Sequence, residues 1–165
     1  MEKLKPTLIL ILGLPGAGKS TFVKKQVTTE YTRLVINMDD LRLAYGHRYE
    51  ESLEPAVTQL TYHMVVTALS QGHNVVIDES ITDFDLAAAL VAVGHGNDAE
   101  VVMVELDTPT DVCWSRREKT GFLRDEFVKK QQEWAENREA IIELGDVHIR
   151  LVQYTKTEDH AAEEK

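Results

Sequence analysis

The feature that most restricts the fold is an apolar stretch that runs directly into a glycine-rich loop. Residues 7–12 read Thr-Leu-Ile-Leu-Ile-Leu, an unbroken run typical of a central strand that is buried on both faces. Residues 13–20 read Gly-Leu-Pro-Gly-Ala-Gly-Lys-Ser and match the pattern G-x-x-x-x-G-K-[ST] at every fixed position. Glycines allow successive backbone N–H groups to face one anion, and the following helix presents its positive end to the same place. The segment therefore predicts a phosphate-binding loop between a buried strand and a helix.

The sequence of the loop indicates which residues bind a magnesium nucleoside triphosphate, here expected to be ATP. Lys19 places a cation between the outer phosphates, and the Ser20 hydroxyl is a predicted ligand of Mg²⁺. The predicted nucleotide-binding set in this segment is Gly13, Pro15, Gly16, Ala17, Gly18, Lys19, Ser20 and Thr21.

Strands and helices alternate along the rest of the chain. Short apolar runs predict further strands over 34–36, 75–77, 100–106 and 147–154. Helices are predicted over 19–29, from 39 onward, and over 55–70, 82–93, 108–117 and 124–144, with a turn at 94–98. Helices between strands imply right-handed crossovers and a parallel sheet. The expected fold is α/β, a three-layer P-loop NTPase fold with a five-stranded, mainly parallel sheet and helices on both faces.

Length and composition indicate one domain. The chain has 165 residues and no repeat or linker that divides it, so a single domain is expected over 1–156, followed by an acidic, disordered tail over 157–165. No apolar run approaches the roughly 20 residues that cross a bilayer. The N-terminal stretch lacks the small-residue cleavage site of a signal peptide. A cytoplasmic protein without a membrane partner is therefore expected, and no obligate protein partner is indicated.

The charge balance bears on possible nucleic-acid binding. The formal net charge is −10, whereas tight, non-specific binding of nucleic acid requires a broad basic surface. A local basic groove remains compatible with this charge. Lys129, Lys130 and Arg138 are expected on solvent-facing sides of the last helix.

Acidic residues follow the third predicted strand, where a metal site is expected. Ligands of open parallel sheets bind at the carboxyl ends of the strands. Asp78 ends the third strand and is a predicted metal ligand, directly or through water, as a Walker B aspartate is. Glu79 is next to it and is available for the same task. The alternative is an ordinary strand-ending aspartate that caps a turn.

A second segment narrows the class of protein. Residues 37–42 read Asn-Met-Asp-Asp-Leu-Arg, and Asp39, Asp40 and Arg42 match the pattern Asp-Asp-x-Arg. Together with residues 13–21, this segment resembles the kinase domain of the T-even phage polynucleotide kinases and the wider family of P-loop kinases around it. Residues 68–78 also resemble the third-strand segment of that family, and the resemblance runs from about Leu8 to Leu106. The guanine-reading Asn-Lys-x-Asp of Ras-type switches has no match.

The resemblance implies catalytic roles. Asp39 would be the general base that takes the proton of the attacking hydroxyl, and Arg42 would hold the acceptor through a phosphate. Asp39 is expected beyond a strand that neighbours the phosphate loop. Arg116 matches the first arginine of a lid over the triphosphate, with Arg117 beside it, so the implied catalytic set is Lys19, Asp39, Arg42 and Arg116. The alternative is that Asp39 is only a helix N-cap and Arg42 a surface cation.

Two positions depart from the family pattern. Thr120 stands where a second lid arginine is common, and Arg117, Lys119 and Arg124 are candidates to supply the missing charge. Residues 78–81 read Asp-Glu-Ser-Ile, where the family commonly has Asp-x-Thr-Asn. Without this asparagine, a polar group expected near the acceptor is missing. The acceptor can therefore differ from a polynucleotide 5′ end.

The expected function is an ATP- and Mg²⁺-dependent phosphotransferase that moves the γ-phosphate to a hydroxyl of a nucleic acid or nucleotide-like acceptor. That acceptor is a 5′-hydroxyl end or a hydroxyl on a modified DNA base. A small-metabolite or sugar-nucleotide kinase of the zeta-toxin-like kind is the alternative within the class, and the acidic net charge favours it. A regulatory module that binds ATP or hydrolyses it slowly is a further alternative, supported by Thr120 and the altered segment after Asp78.

Overall fold

The computed structural model describes residues 5–26, 33–46 and 49–152. The strands are β1 (Thr7–Leu12), β2 (Arg33–Asn37), β3 (Asn74–Asp78), β4 (Glu100–Asp107) and β5 (Val147–Val152). The helices are α1 (Lys19–Gln26), α2 (Met38–Ala44), α3 (Glu54–Ser70), α4 (Phe84–Gly96), α5 (Thr110–Glu118) and α6 (Arg124–Glu143). The predicted tail over 157–165, the end of the first predicted helix and the last two residues of the last predicted strand lie outside the described residues.

The strands form one sheet in the order β2-β3-β1-β4-β5, and all four neighbouring pairs are parallel. Strand β1 lies in the centre, so the loop that follows it emerges in the middle of the carboxyl edge of the sheet. This architecture confirms the predicted three-layer P-loop fold. The expected position of Asp39 is wrong in one respect. Strand β2, which leads to Asp39, does not neighbour β1, which leads to the phosphate loop, because β3 lies between them.

The side chains of β1 divide the core into two layers. Leu8, Leu10 and Leu12 are fully buried in one layer, against apolar residues of α3, α4 and α6. Ile11 is buried in the other layer with residues of α1 and α5. Burial of each such side chain stabilises the folded state by about 1.5–3 kcal/mol. Packing on both faces of β1 therefore holds the loop that follows it in place. In the described ranges, no helix combines the length and apolar character needed to cross a bilayer.

The predicted turn at 94–98 is wrong for its first three residues, because α4 continues to Gly96. Gly94 lies against the sheet, and a Cβ atom there would stand 2.9 Å from both Leu8 Cδ2 and Val101 Cγ2. The glycine thus allows close packing of a helix on two strands instead of ending the helix. The chain turns at Asn97 and Asp98, and Asp98 has a φ of 56°.

Arg138, expected to face solvent, is only partly exposed, at 30% of its side chain, and pairs with a buried carboxylate. Glu105 is a carboxylate buried in the apolar strand β4, and its side chain is 3% exposed. Arg138 donates to it from Nε at 2.6 Å and from Nη2 at 2.9 Å, and His148 Nε2 lies 3.0 Å away. A carboxylate at such a depth requires partners of this kind. Arg138 therefore joins α6 to the sheet.

Candidate active site

One cavity of about 570 Å³ opens at the carboxyl edge of the sheet. It is bounded by the phosphate loop and the start of α1, by the ends of β2 and β3, and by the end of α5. The predicted site residues among its lining are Gly16, Ala17, Gly18, Lys19, Ser20, Thr21, Asp39, Asp78, Arg116 and Arg117. Three predicted residues, Gly13, Pro15 and Arg42, do not line it, but Gly13 and Arg42 bond to residues that do.

The phosphate loop is shaped by left-handed glycines and by the close approach of α5. Gly16 and Gly18 have φ values of 89° and 97°, which an L side chain rarely adopts. A Cβ atom on Gly16 would stand 2.3 Å from the backbone oxygen of Cys113, in α5. Helix α5 therefore supports the loop from outside, while the backbone between Gly16 and Gly18 stays open toward the cavity.

Lys19 is held at the base of the loop. Its Nζ donates to the carbonyl oxygens of Gly13 at 2.9 Å and Leu14 at 3.0 Å, and to Ser80 Oγ at 2.7 Å. Ser80 was not predicted as a site residue, although it stands where the family pattern after Asp78 has a threonine hydroxyl. That matching hydroxyl is the signal that identifies it. Lys19 thus connects the phosphate loop with the loop after β3.

Asn37 joins the ends of β2 and β3 and caps α2. Its Oδ1 accepts from the backbone N–H groups of Asp39 at 2.9 Å and Asp40 at 3.2 Å. Its Nδ2 donates to Asp78 Oδ2 at 3.0 Å. Because Asn37 is the N-cap, the alternative that Asp39 serves only as the cap does not hold. The Asp39 carboxylate is 66% exposed and lines the cavity.

Arg42 bonds to three carboxylates and orients one of them. Its Nη1 donates to Asp39 Oδ1 at 2.7 Å and to Glu79 Oε2 at 3.0 Å, while its Nε and Nη2 donate to the two oxygens of Glu54 at 2.8 and 2.9 Å. Burial lowers the pKa of Arg42, but the hydrogen bonds and charges of these carboxylates outweigh it and raise the pKa above its ordinary value. Glu54 was missed in the sequence, because only the fold brings the start of α3 to α2.

The residues predicted to hold Mg²⁺ fit that ion. Ser20 and Asp78 line the same cavity, and Asn37 occupies one carboxylate oxygen of Asp78. A hydroxyl and a carboxylate are oxygen ligands, which Mg²⁺ prefers, and the remaining ligands are commonly waters and phosphate oxygens. The two side chains stand beside a loop suited to those phosphates, so the donor set and its location are compatible with a magnesium nucleotide.

The end of α5 forms a further part of the cavity wall. Arg116 Nη1 donates to the carbonyl oxygen of Gly16 at 3.0 Å. Arg117 also lines the cavity, with its guanidinium carbon 5.3 Å from the centre of the Phe122 ring. Thr120 is exposed at the same wall. The structure therefore places both predicted arginines at the phosphate end of the cavity.

Nucleotide affinity is expected to fall at high pH. The pKa of Lys19 is lowered to about 8, mainly by burial and in part by the Arg117 charge, against the opposing charges of Glu79 and Asp78. Only the charged amine attracts phosphate, so binding above this pKa requires uptake of one proton. The affinity for ADP without Mg²⁺ should therefore fall with a slope approaching about tenfold per pH unit above 8.

Calorimetry in buffers of different ionisation enthalpy would measure that proton uptake, which should be near one at pH 9.5 and should decrease as the pH is lowered through about 8. The control is Lys19→Met, in which the dependence should vanish whatever affinity remains. An affinity that stays level from pH 7 to 9.5 in the unchanged protein would contradict this account.

The fold is shared with solved kinases. APS kinase of Mycobacterium tuberculosis, solved with AMPPNP and APS, is 18% identical, with a TM-score of 0.59 and coverage of 88% of each chain. Shikimate kinase of Acinetobacter baumannii, solved with shikimate, is 16% identical, with a TM-score of 0.60 and coverage of 90% of this chain and 86% of that one. Comparison with curated proteins gave no match.

A chain of the Pnkp1/Rnl/Hen1 RNA repair complex is 24% identical, with a TM-score of 0.72 over 82% of this chain. The present chain spans 46% of the length of that one. A family model described as an AAA domain matches residues 8–140. This range includes the phosphate loop, the acidic pairs at 39–40 and 78–79, and the two arginines of α5. The chain therefore belongs to the AAA domain family of P-loop proteins.

Proposed function

We propose that this chain is an ATP-dependent phosphotransferase that moves the γ-phosphate to a hydroxyl group. The observation that carries the proposal is the position of Asp39. Its carboxylate is fixed by Arg42 at 2.7 Å and opens on the same cavity as the phosphate loop. Phosphoryl transfer requires a protein mainly to position its substrates and neutralise their charge, with an aspartate to accept the hydroxyl proton. Asp39 and the phosphate loop line one cavity here.

The phosphate end of the cavity would bind the nucleotide. The backbone N–H groups between Gly16 and Ser20 surround the phosphates, and Lys19 adds a positive charge at the base of the loop. Arg116 adds another charge from α5. Ser20 and Asp78 would hold Mg²⁺, which supplies further neutralisation of the phosphate oxygens.

Asp39 acts at the acceptor end. It accepts the proton as the acceptor O–H bond breaks, while the acceptor oxygen bonds to the γ-phosphorus and ADP leaves with the electrons of the broken P–O bond. Arg42 keeps the carboxylate in one orientation, and Glu54 and Glu79 hold Arg42 in turn. General-base catalysis of this kind contributes about 10²- to 10⁴-fold in rate.

Two acceptor classes have support. The Asp-Asp-x-Arg segment and the similarity to a chain of an RNA repair complex favour a nucleic acid or nucleotide-like acceptor, with a 5′-hydroxyl or a hydroxyl on a modified DNA base. The formal net charge of −10 favours a small metabolite or sugar nucleotide over a polymer. The three carboxylates around Arg42 occupy most donors of the arginine and thereby favour, within this class, a metabolite that presents no phosphate to it.

The test is transfer of label from γ-labelled ATP with Mg²⁺ to a panel of acceptors. The panel holds 5′-hydroxyl DNA and RNA, hydroxymethylated DNA, nucleosides, shikimate-like alcohols and sugar nucleotides. Label on a polymer or a nucleoside supports the first class, and label on an alcohol or sugar nucleotide alone supports the second. Tight ATP binding without label on any acceptor would count against a phosphotransferase and favour a regulatory nucleotide-binding module.

A further inference from the structure

All three N–H donors of the Lys19 amine are engaged within the protein. An ammonium group donates three hydrogen bonds, and here the acceptors are the carbonyl oxygens of Gly13 and Leu14 and the hydroxyl of Ser80. Ser80 lines the cavity, whereas Gly13 and Leu14 do not. A phosphate oxygen that enters the cavity and binds Lys19 therefore replaces Ser80 Oγ rather than a loop carbonyl. Ser80 is thus the group that responds when the phosphate loop is occupied.

Hydrogen bonds lead from Ser80 to the proposed base. The backbone N–H of Ser80 donates to Glu79 Oε1 at 2.8 Å, and Glu79 Oε2 accepts from Arg42 Nη1 at 3.0 Å. The same Nη1 donates to Asp39 Oδ1 at 2.7 Å. The Glu79 side chain is 15% exposed, so it is largely protected from competing water. A relay of hydrogen bonds thus runs from Lys19 to Asp39 through Ser80, Glu79 and Arg42.

The two glutamates that hold Arg42 differ in their relation to this relay. Glu79 bonds to Nη1, the nitrogen that also orients Asp39, whereas Glu54 bonds to Nε and Nη2. A shift of Glu79 therefore acts directly on the atom that holds Asp39. Residue 79 is also the variable position of the family pattern Asp-x-Thr-Asn, so that pattern does not require a carboxylate there.

We propose that Glu79 is a positioning residue that connects occupation of the phosphate loop with the orientation of Asp39. This inference rests on the proposed function and deepens it, because it describes how a bound nucleotide prepares the base for its acceptor. When phosphate replaces Ser80 at Lys19, the loop after β3 loses a contact that fixes it. Glu79 transmits the change to Nη1 of Arg42, and Nη1 reorients Asp39. A contiguous network of this kind is one physical means by which two sites are coupled.

The first test follows the Arg42 side chain by NMR, with ADP as the probe. Arg42 does not line the cavity, so its signal reports on the relay and not on contact with the nucleotide. Its Nε–H signal, identified by its absence in Arg42→Lys, should move when the unchanged protein is saturated with ADP. In Glu79→Gln the signal should no longer respond to bound ADP. The amide oxygen can accept from only one of the two donors, the Ser80 N–H and Arg42 Nη1.

Glu54→Gln is the matched control for this variant. It alters a carboxylate contact of Arg42 in the same way but leaves the relay complete, so the response to ADP should be retained. Ser80→Ala is a second interruption of the relay, and it provides the test if Glu79→Gln does not fold. It removes the hydroxyl that phosphate displaces, so the response should again be lost.

The second test combines variants in the transfer reaction. Ser80→Ala and Glu79→Gln break links of one relay, so the double variant should be slowed no more than the slower single variant. The product of the two single losses should then exceed the loss in the double variant by about 2- to 150-fold, as for residues of one hydrogen-bond network. Ser80→Ala and Glu54→Gln affect separate contacts, and their losses should multiply.

Four results would overturn the inference. These are an Arg42 signal that does not move with saturating ADP, a response that persists in Glu79→Gln, a response that is lost equally in Glu54→Gln, and losses that multiply in Ser80→Ala/Glu79→Gln. Failure of the proposed function is distinguishable from these. An ADP response that requires Glu79, with no acceptor ever labelled, would support the relay and remove only the phosphotransferase.

Discussion

Replacement of Asp39 by asparagine is expected to lower γ-phosphate transfer by about 10²- to 10⁴-fold and to leave the affinity for ATP nearly unchanged. Asparagine keeps the size of the side chain and an oxygen that can accept the hydrogen bond of Arg42, now 2.7 Å from Asp39 Oδ1. It cannot take the proton of an acceptor hydroxyl at neutral pH. Single-turnover transfer and calorimetric titration with ATP would measure the two quantities separately.

The neighbouring residue supplies the control for this variant. Asp40 is exposed, and its backbone N–H is bonded to the same capping residue, Asn37, but its side chain does not line the cavity. Asp40→Asn should retain most of the transfer rate. Full activity in Asp39→Asn would remove Asp39 from the role of base, and a parallel loss of ATP affinity would assign it to the nucleotide instead.

Gly16→Ala is expected to lower the free energy of unfolding by roughly 2–5 kcal/mol and to abolish tight nucleotide binding. The added methyl group would stand 2.3 Å from the backbone oxygen of Cys113, and the φ of 89° is unfavourable for alanine. Neither backbone is free to move without displacing the phosphate loop or α5. Urea unfolding and ATP titration on the same preparation would measure both effects.

Gly46→Ala distinguishes the effect of the unfavourable φ from the effect of the contact with the Cys113 backbone. Gly46 has the same φ of 89°, but a Cβ atom there would meet nothing within 4 Å. Its substitution should therefore cost only the strain of a left-handed residue, about 1–2 kcal/mol. Equal losses in the two variants would show that backbone conformation, and not the contact with α5, limits position 16.

Local patterns explain how far the sequence predicts this fold. The strand over residues 7–12 and the loop that follows depend on adjacent residues, so composition and glycine spacing suffice to predict them. The alternation of strands and helices then implies a parallel sheet, which the structure confirms. The turn predicted at Gly94 failed, because a glycine that breaks a helix and a glycine that allows close packing look the same in sequence. Only the contacts with Leu8 and Val101 distinguish them.

Residue patterns along the chain are enough to predict a phosphate loop on a parallel sheet, with acidic residues and arginines available near it. Which of these side chains contact one another depends on how the elements pack. Glu54 reaches Arg42, Ser80 reaches Lys19 and Arg138 reaches Glu105 only after strand order and helix rotation are set. Those pairings join residues far apart in the chain, and they depend on packing of the two core layers. No local pattern encodes that packing, whereas the phosphate loop is encoded in eight consecutive residues, 13–20.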